Sequence, residues 1–236
     1  SKIRPEFPEA AFVSEWGRPN ESLEAGFDMD FYLDWRWDGI PNGYNMLLRN
    51  VDNPLSRDGD KSYFNVDSGT PISDFLEQYE PQLREAEHLG GTFNFITCNH
   101  DTARVAPRLS EREIALAYCT LFAMPGVPFI YYGDEIGMQG YKDPFNRAFF
   151  DWESRETRIR PVLQNLAALR KSCPAFADGT LAVTQAQGGV LCYERRAEAA
   201  VAAVCINRTE QQVRTVLLGR TVEVQPCSFA VVTDPE

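Results

Sequence analysis

The stretch TFNFITCNHD, Thr92 to Asp101, decides the fold. It opens with the β-branched and aromatic residues of a strand and closes on three polar groups, Asn99, His100 and Asp101. One of only two histidines in the chain stands at that end. In parallel α/β folds, ligands sit outside the carboxyl ends of the strands, so a strand finishing in this way reads as one wall of a site.

Three more strand candidates share this grammar. AAFVSE (Ala10 to Glu15) and VPFIYYG (Val127 to Gly133) are largely apolar runs, as parallel strands covered on both faces should be. FDMDFYLDW (Phe27 to Trp35) lies between the first of these and Thr92. Helical periodicity fills the gaps. PISDFLEQYEPQLREAEHLGG places Phe75, Leu76, Tyr79, Leu83 and Ala86 on one face; Pro81 should kink or split it, and Gly90-Gly91 should stop it. LSEREIALAYCTLFAMPG carries Ser110 as N-cap with Glu113 three residues on, a capping box, and then a face of Ile114, Ala117, Tyr118, Leu121 and Phe122. RIRPVLQNLAALRKS sets Val162, Leu163, Leu166 and Leu169 together. Strand-helix repetition of this kind predicts a parallel sheet with right-handed crossovers.

After Cys173 the pattern changes to short strands and turn signals, with Gly188-Gly189 separating two strands of a hairpin. The expected division is therefore an α/β unit over 1–172 and a small antiparallel all-β domain over 173–236.

Composition narrows the function classes. A chain of 236 residues with 44% hydrophobic and 24% charged residues is an ordinary globular protein. Its net charge of −11 argues against nucleic acid or an anionic membrane as partner. No apolar run approaches the ~20 residues of a membrane span, and SKIRPEFPEA lacks the apolar core of a signal peptide, so a cytoplasmic location is expected. The six cysteines are scattered, with no CxxC pair and no Cys/His cluster, which predicts buried reduced thiols and no zinc site.

Taken together, the strand ends gather Glu15-Trp16, Asn99-His100-Asp101 and Tyr131-Tyr132-Gly133-Asp134-Glu135 at one face. Carboxylates beside aromatic platforms suit sugar chemistry: one acid protonates a glycosidic oxygen, another group stabilises the oxocarbenium-like centre, and rings stack on sugar faces. Each residue alone has an ordinary explanation as a turn, cap or core residue, so the residue types leave both readings open.

The motifs carry a resemblance. FNFITCNHDTAR, AMPGVPFIYYGDEIGM, KDPFNRAFFDWE and FVSEWGRP, in that family's order, are similar to segments of the α-amylase family of glycoside hydrolases, nearest its neopullulanase, cyclomaltodextrinase and oligo-glucosidase branches. The segment after Cys173 resembles that family's C-terminal β-domain. The resemblance implies strands five to eight of a (β/α)8 TIM barrel. It implies Glu15 as general acid/base, Asp101 as transition-state stabiliser, and His100 and Asn99 as groups at the sugar being cleaved. Asp143 and Arg147 would contact the next sugar on the non-reducing side, and Trp16 would stack on the leaving-group side. No cofactor is implied, and the substrate would be an α-glucan oligosaccharide with α-1,4 or α-1,6 bonds.

Two departures accompany it. Ser14-Glu15-Trp16 lacks the residue that the family usually places between Glu and Trp. The nucleophilic Asp, which the family carries in a Gly-Phe-Arg-x-Asp motif before the acid/base strand, has no counterpart among the 14 residues preceding Glu15. GFDMD (Gly26 to Asp30) mimics that motif but follows Glu15 and has Asp28 where Arg belongs. The expectation is a piece of a retaining hydrolase, inactive alone and associating with itself or with a missing N-terminal half. The rival expectation is a non-catalytic amylase-like partner or glucan-binding protein.

Overall fold

The structure, a computed structural model, describes residues 2–33, 43–49, 61–141, 143–154 and 157–235, and the statements below concern those residues. Asp34 and Trp35 of the second expected strand, and Lys142 of the KDPFNR segment, lie outside them.

Four strands pair in parallel: β1 (Val13–Ser14), β2 (Met29–Tyr32), β3 (Thr92–Ile96) and β4 (Val127–Phe129). Their order in the sheet is their order in the chain. A doubly wound sheet reverses direction at a switch point, whereas here each crossover advances to the next neighbour, the winding of a sheet that curls toward a barrel. The strands are shorter than their apolar runs. Before Val13, the Phe12 amide bonds to the Asp28 carboxylate at 2.7 Å instead of a ladder carbonyl. Beyond Phe129 the chain turns, and the Asp134 amide donates back to the Tyr131 carbonyl at 3.1 Å.

The crossovers carry helices α1 (Pro19–Glu24), α2 (Gly43–Leu48), α3 (Ile72–His88) and α4 (Glu111–Ala123); α5 (Ile159–Ser172) and α6 (Pro174–Asp178) follow β4. Of the two outcomes expected at Pro81, a kink or a split, the split does not occur: α3 is one helix of 17 residues with Pro81 inside it. Pro81 and Glu77, whose carbonyl loses its donor, both lie on the exposed side, so that carbonyl is not buried without a partner. The helix ends before Gly90, which adopts the left-handed φ of +73°. The inner face of α3 presents Phe75 and Tyr79 to Tyr32, Phe93 and Phe95, a fully buried aromatic cluster that fixes β2 and β3 against the helix. The capping box of α4 forms as read: the Ser110 hydroxyl accepts from the Glu113 amide, and the Glu113 carboxylate from the Ser110 amide.

The rest of the chain forms an antiparallel sheet of β5 (Thr180–Gln187), β6 (Val190–Ala197), β7 (Ala200–Asn207) and β10 (Ser228–Pro235), in the order β10-β7-β6-β5. A separate hairpin, β8 (Val213–Leu217) and β9 (Arg220–Val224), covers its outer face. The hairpin at Gly188-Gly189 is present, both glycines having positive φ. One sheet face contributes Leu191, Tyr193, Val204 and Ile206 to the main core with α4. Buried Arg195 reaches across that seam, donating from Nη1 to the Ala123 carbonyl at 2.6 Å. Arg170 donates from Nη1 to the Phe122 carbonyl at 2.7 Å, so two cations serve the otherwise unpaired carbonyls at the end of α4. Arg208 holds the loop before α3 through the carbonyls of Asn65, Ser68 and Thr70.

All six cysteines are free thiols; Cys227 is half-buried and the others are buried. No helix among the described residues is long and apolar enough to cross a membrane.

Candidate active site

Glu15 follows β1 directly, and Asn99, His100 and Asp101 follow β3 within a few residues. The parallel register brings these carboxyl ends together. Asn99 Nδ2 donates to Glu15 Oε1 at 3.2 Å. His100 Nε2 lies 3.4 Å from Glu15 Oε1 and 3.4 Å from Asp101 Oδ2. The ligand atoms of Glu15, His100 and Asp101 all lie within 4.8 Å of one another, so these three could also present a metal ion with two carboxylates and an imidazole.

The loop after β4 closes one side. Arg147 Nη2 meets Asp101 Oδ1 at 3.0 Å, and its Nε meets Asp143 Oδ1 at 2.7 Å and the His100 carbonyl at 3.0 Å. Six of the seven expected residues thus form one connected set: Glu15, Asn99, His100, Asp101, Arg147 and Asp143. Trp16 stands beside Glu15 with its ring 53% exposed, and its indole nitrogen donates to Glu21 Oε2 at 2.8 Å. That bond turns it toward α1 at the rim.

Burial raises the pKa of Glu15, and the charges of Asp101 and Asp30 raise it further against the opposing effects of His100 and Arg147. A carboxyl group whose pKa is raised by burial, with a partly solvated carboxylate beside it, is an arrangement that can deliver a proton and then stabilise positive charge.

Two other carboxylates collected at the strand ends do not join. Asp134 is buried beneath the site, and Glu135 accepts from the Gly133 amide. Burial pushes Asp134 up to about 6, opposed by hydrogen bonds from Tyr118 and Cys98 and by Arg104. The two aspartates of GFDMD are also committed. Asp30 is fully buried and accepts from the amides of Trp16 and Arg18 and the hydroxyl of Ser22. Asp28 accepts from the Phe12 amide and from Arg4, which hold its pKa down. Both carboxylates lock the β1–α1 segment that carries Glu15.

Sequence reasoning missed what lies underneath. Arg104 is fully buried, pairs with Asp134 at 3.1 Å, and donates to the Asn146 carbonyl at 2.9 Å and the Tyr132 carbonyl at 2.8 Å. Its guanidinium lies 4.4 Å from the Tyr131 ring centroid and 4.9 Å from that of Tyr132. Buried Asn146 donates to the carbonyls of His100 and Thr102 at 2.9 and 2.8 Å. The two residues tie the β4 loop to the Asn-His-Asp turn. The only hint in the sequence is that both fall inside the quoted motifs.

Comparison with known proteins agrees with this architecture. The family described as "Alpha amylase, catalytic domain" matches residues 53–185. The chain belongs to that family. It is 33% identical over 172 residues to a cyclomaltodextrin glucanotransferase of Thermoanaerobacterium thermosulfurigenes, covering 64% of this chain and 24% of that protein. It is 27% identical over 201 residues to an amylopullulanase of Thermoanaerobacter thermohydrosulfuricus, covering 76% of this chain and 13% of that one. The solved cyclic α-maltosyl-(1→6)-maltose hydrolase of Arthrobacter globiformis superposes with a TM-score of 0.79 at 23% identity, over 99% of this chain and 51% of that one. The fold is accordingly a TIM-barrel-related α/β fold joined to antiparallel sheets. The chain spans about a quarter or less of these two curated relatives and about half of the solved structure.

Proposed function

We propose that these residues are one half of the catalytic unit of an α-glucan-active glycoside hydrolase. The observation that carries the reading is the convergence of Glu15, His100 and Asp101 within 4.8 Å at the carboxyl ends of two parallel strands. In it, β1 to β4 are strands five to eight of a (β/α)8 barrel, residues 1–172 belong to that barrel, and residues 173–236 form a C-terminal β-domain. Glu15 protonates the glycosidic oxygen and later takes a proton from the acceptor. Asp101 stabilises the oxocarbenium-like centre, His100 and Asn99 bind the sugar being cleaved, Arg147 and Asp143 the next one, and Trp16 stacks at the rim.

A retaining reaction also needs a nucleophilic carboxylate. Asp28 and Asp30 are bound to backbone amides and a hydroxyl, so neither is taken for that role. The nucleophile then comes from polypeptide outside these 236 residues, on the strands that would complete the barrel. The isolated chain should show no α-glucan turnover. Whether water or a second sugar accepts the glycosyl group, and whether the bond is α-1,4 or α-1,6, rests on loops around the completed site.

The test is kinetic. In a polypeptide or complex that completes the barrel, maltooligosaccharide turnover should appear, and Glu15→Gln and Asp101→Asn should each lower kcat at least ~10²–10⁴-fold. Arg147→Ala should act mainly on KM. Near-normal kcat in Asp101→Asn would sink the reading. Oligosaccharide binding without any turnover in the completed protein would favour the non-catalytic alternative.

A further inference from the structure

Two cysteines outside the site face each other across the antiparallel sheet. Cys192 on β6 is the register partner of Cys205 on β7. Both are buried on the same face, in the small core shared with Leu217 and Val224 of the covering hairpin. The parity of the ladder can be read from its end. The Arg208 amide donates to the Gly189 carbonyl at 3.0 Å, which makes Gly189 and Arg208 a hydrogen-bonded pair. Pairs alternate along an antiparallel ladder, so Val190–Asn207 is non-hydrogen-bonded, Leu191–Ile206 is bonded, and Cys192–Cys205 is non-hydrogen-bonded.

In such a pair the Cα atoms are about 4.5 Å apart and the side chains are at their closest, inside the ~4.4–6.8 Å range over which a disulfide closes. We propose that Cys192 and Cys205 form a two-thiol oxidation site that a small disulfide oxidant converts to a cross-strand disulfide. One thiolate attacks the oxidant's sulfur, giving a mixed disulfide and one released thiol. The partner thiolate then displaces the second thiol. The oxidant's S–S bond is reduced, the protein's S–S bond forms, and the two cysteine protons end on the two released thiols.

Two further features support it. The pKa of Cys192 is lowered, chiefly by the Cys205 thiol beside it, with the Thr215 hydroxyl, 3.9 Å from its sulfur, acting in the same direction. Access comes from β8 and β9, which pair only with each other and not with the sheet. Lifting that hairpin breaks the packing of Leu217 and Val224, the Asn207 side-chain bonds to the Val224 and Gln225 carbonyls and the Arg220–Asp234 pair, and leaves the backbone ladder of β6 and β7 intact.

The experiment uses the whole chain under native conditions, titrated through reduced and oxidised glutathione. Samples are quenched in acid, unfolded, labelled with N-ethylmaleimide and weighed. Oxidation should remove two labels from the six of the reduced chain, and digestion should recover a peptide joining Cys192 to Cys205. Cys192→Ser and Cys205→Ser should each lose the cross-link, hold any glutathione adduct on the remaining member of the pair because nothing resolves it, and keep the other four thiols fully labelled. Full labelling of the wild type at every poise, linkage of any other pair, or closure only in urea, where the register is lost, would each overturn the proposal.

Discussion

His100 and Asp101 lie close enough to Glu15 for their charges to act on its ionisation with little screening by water. For Glu15, burial is the largest influence and acts upward; Asp101 adds to it and Arg147 opposes it. Removing the Asp101 charge by Asp101→Asn should therefore lower the pKa of Glu15, and Arg147→Gln should raise it. The carboxyl-carbon NMR signal of Glu15, followed from pH 3 to 8, reads both shifts without needing turnover; a pair of variants that move it in the same direction would contradict the geometry. These residues were legible in the sequence because each belongs to a short local motif at the end of a recognisable strand. Trp16 was only half legible: adjacency to Glu15 gives its place, but the Glu21 bond that turns its ring depends on α1. The role of Arg104 was not legible beyond its place in the FNFITCNHDTAR motif, since nothing local announces that a guanidinium will be buried.

At the level of loops and helices, Arg104 and Asp134 form the hub under the site. The folded pKa of Asp134 is about 6, above its ordinary unfolded value near ~3.9. Between those values the folded state binds more protons than the unfolded one, so this group's contribution to stability is full below about pH 4 and declines as pH rises through about 6. The two-unit gap corresponds to roughly 3 kcal/mol. Urea unfolding at pH 4, 5, 6 and 7 should show that decline in the wild type and a flatter profile in Asp134→Asn. Arg104→Met should cost about 3–5 kcal/mol, because it leaves Asp134 as a buried charge with its cation gone. It should also loosen the Asn146 bonds to the Asn-His-Asp turn, which hydrogen exchange at Asp101 and Thr102 would detect. The elements themselves were largely readable. The α4 capping box and the Gly188-Gly189 hairpin follow from residues within a few positions of each other, and both are present. Strand lengths were not, because where a ladder stops is decided by competing partners such as the Asp28 carboxylate that takes the Phe12 amide. The unbroken course of α3 through Pro81 depended on which side of the helix meets solvent.

At the scale of the molecule, the described residues form a parallel sheet whose two outer strands each have one unpaired side. Among the described residues β1 and β4 have a neighbour on one side only, and the apolar residues at those edges are open: Val13 is 48% exposed, Val127 40% and Ile130 39%. The loop after β4 adds Phe145 at 73%, Phe149 at 100% and Trp152 at 79%. A closed barrel has no sheet edges, whereas an open parallel sheet offers unpaired amides and carbonyls together with wet apolar side chains. At roughly 25 cal/mol per Å², a few hundred Å² of such surface costs several kcal/mol, comparable with the net stability of an ordinary domain. The antiparallel sheet does not relieve this, since its apolar faces are occupied by α4 on one side and by β8 and β9 on the other. The expected outcome is association through the open edges, with a second copy when the chain is alone and with the complementary strands when they are supplied. Light scattering across the micromolar range should give a mass above the 26.7 kDa of one chain, and adding the complementary polypeptide should replace that species with a one-to-one complex. Lys or Glu at Val13 and Val127, placed on exposed edge positions, should shift the isolated chain toward monomer without unfolding the antiparallel sheet. A wild-type monomer at all concentrations, unfolding cooperatively and binding no hydrophobic dye, would show that these edges need no partner.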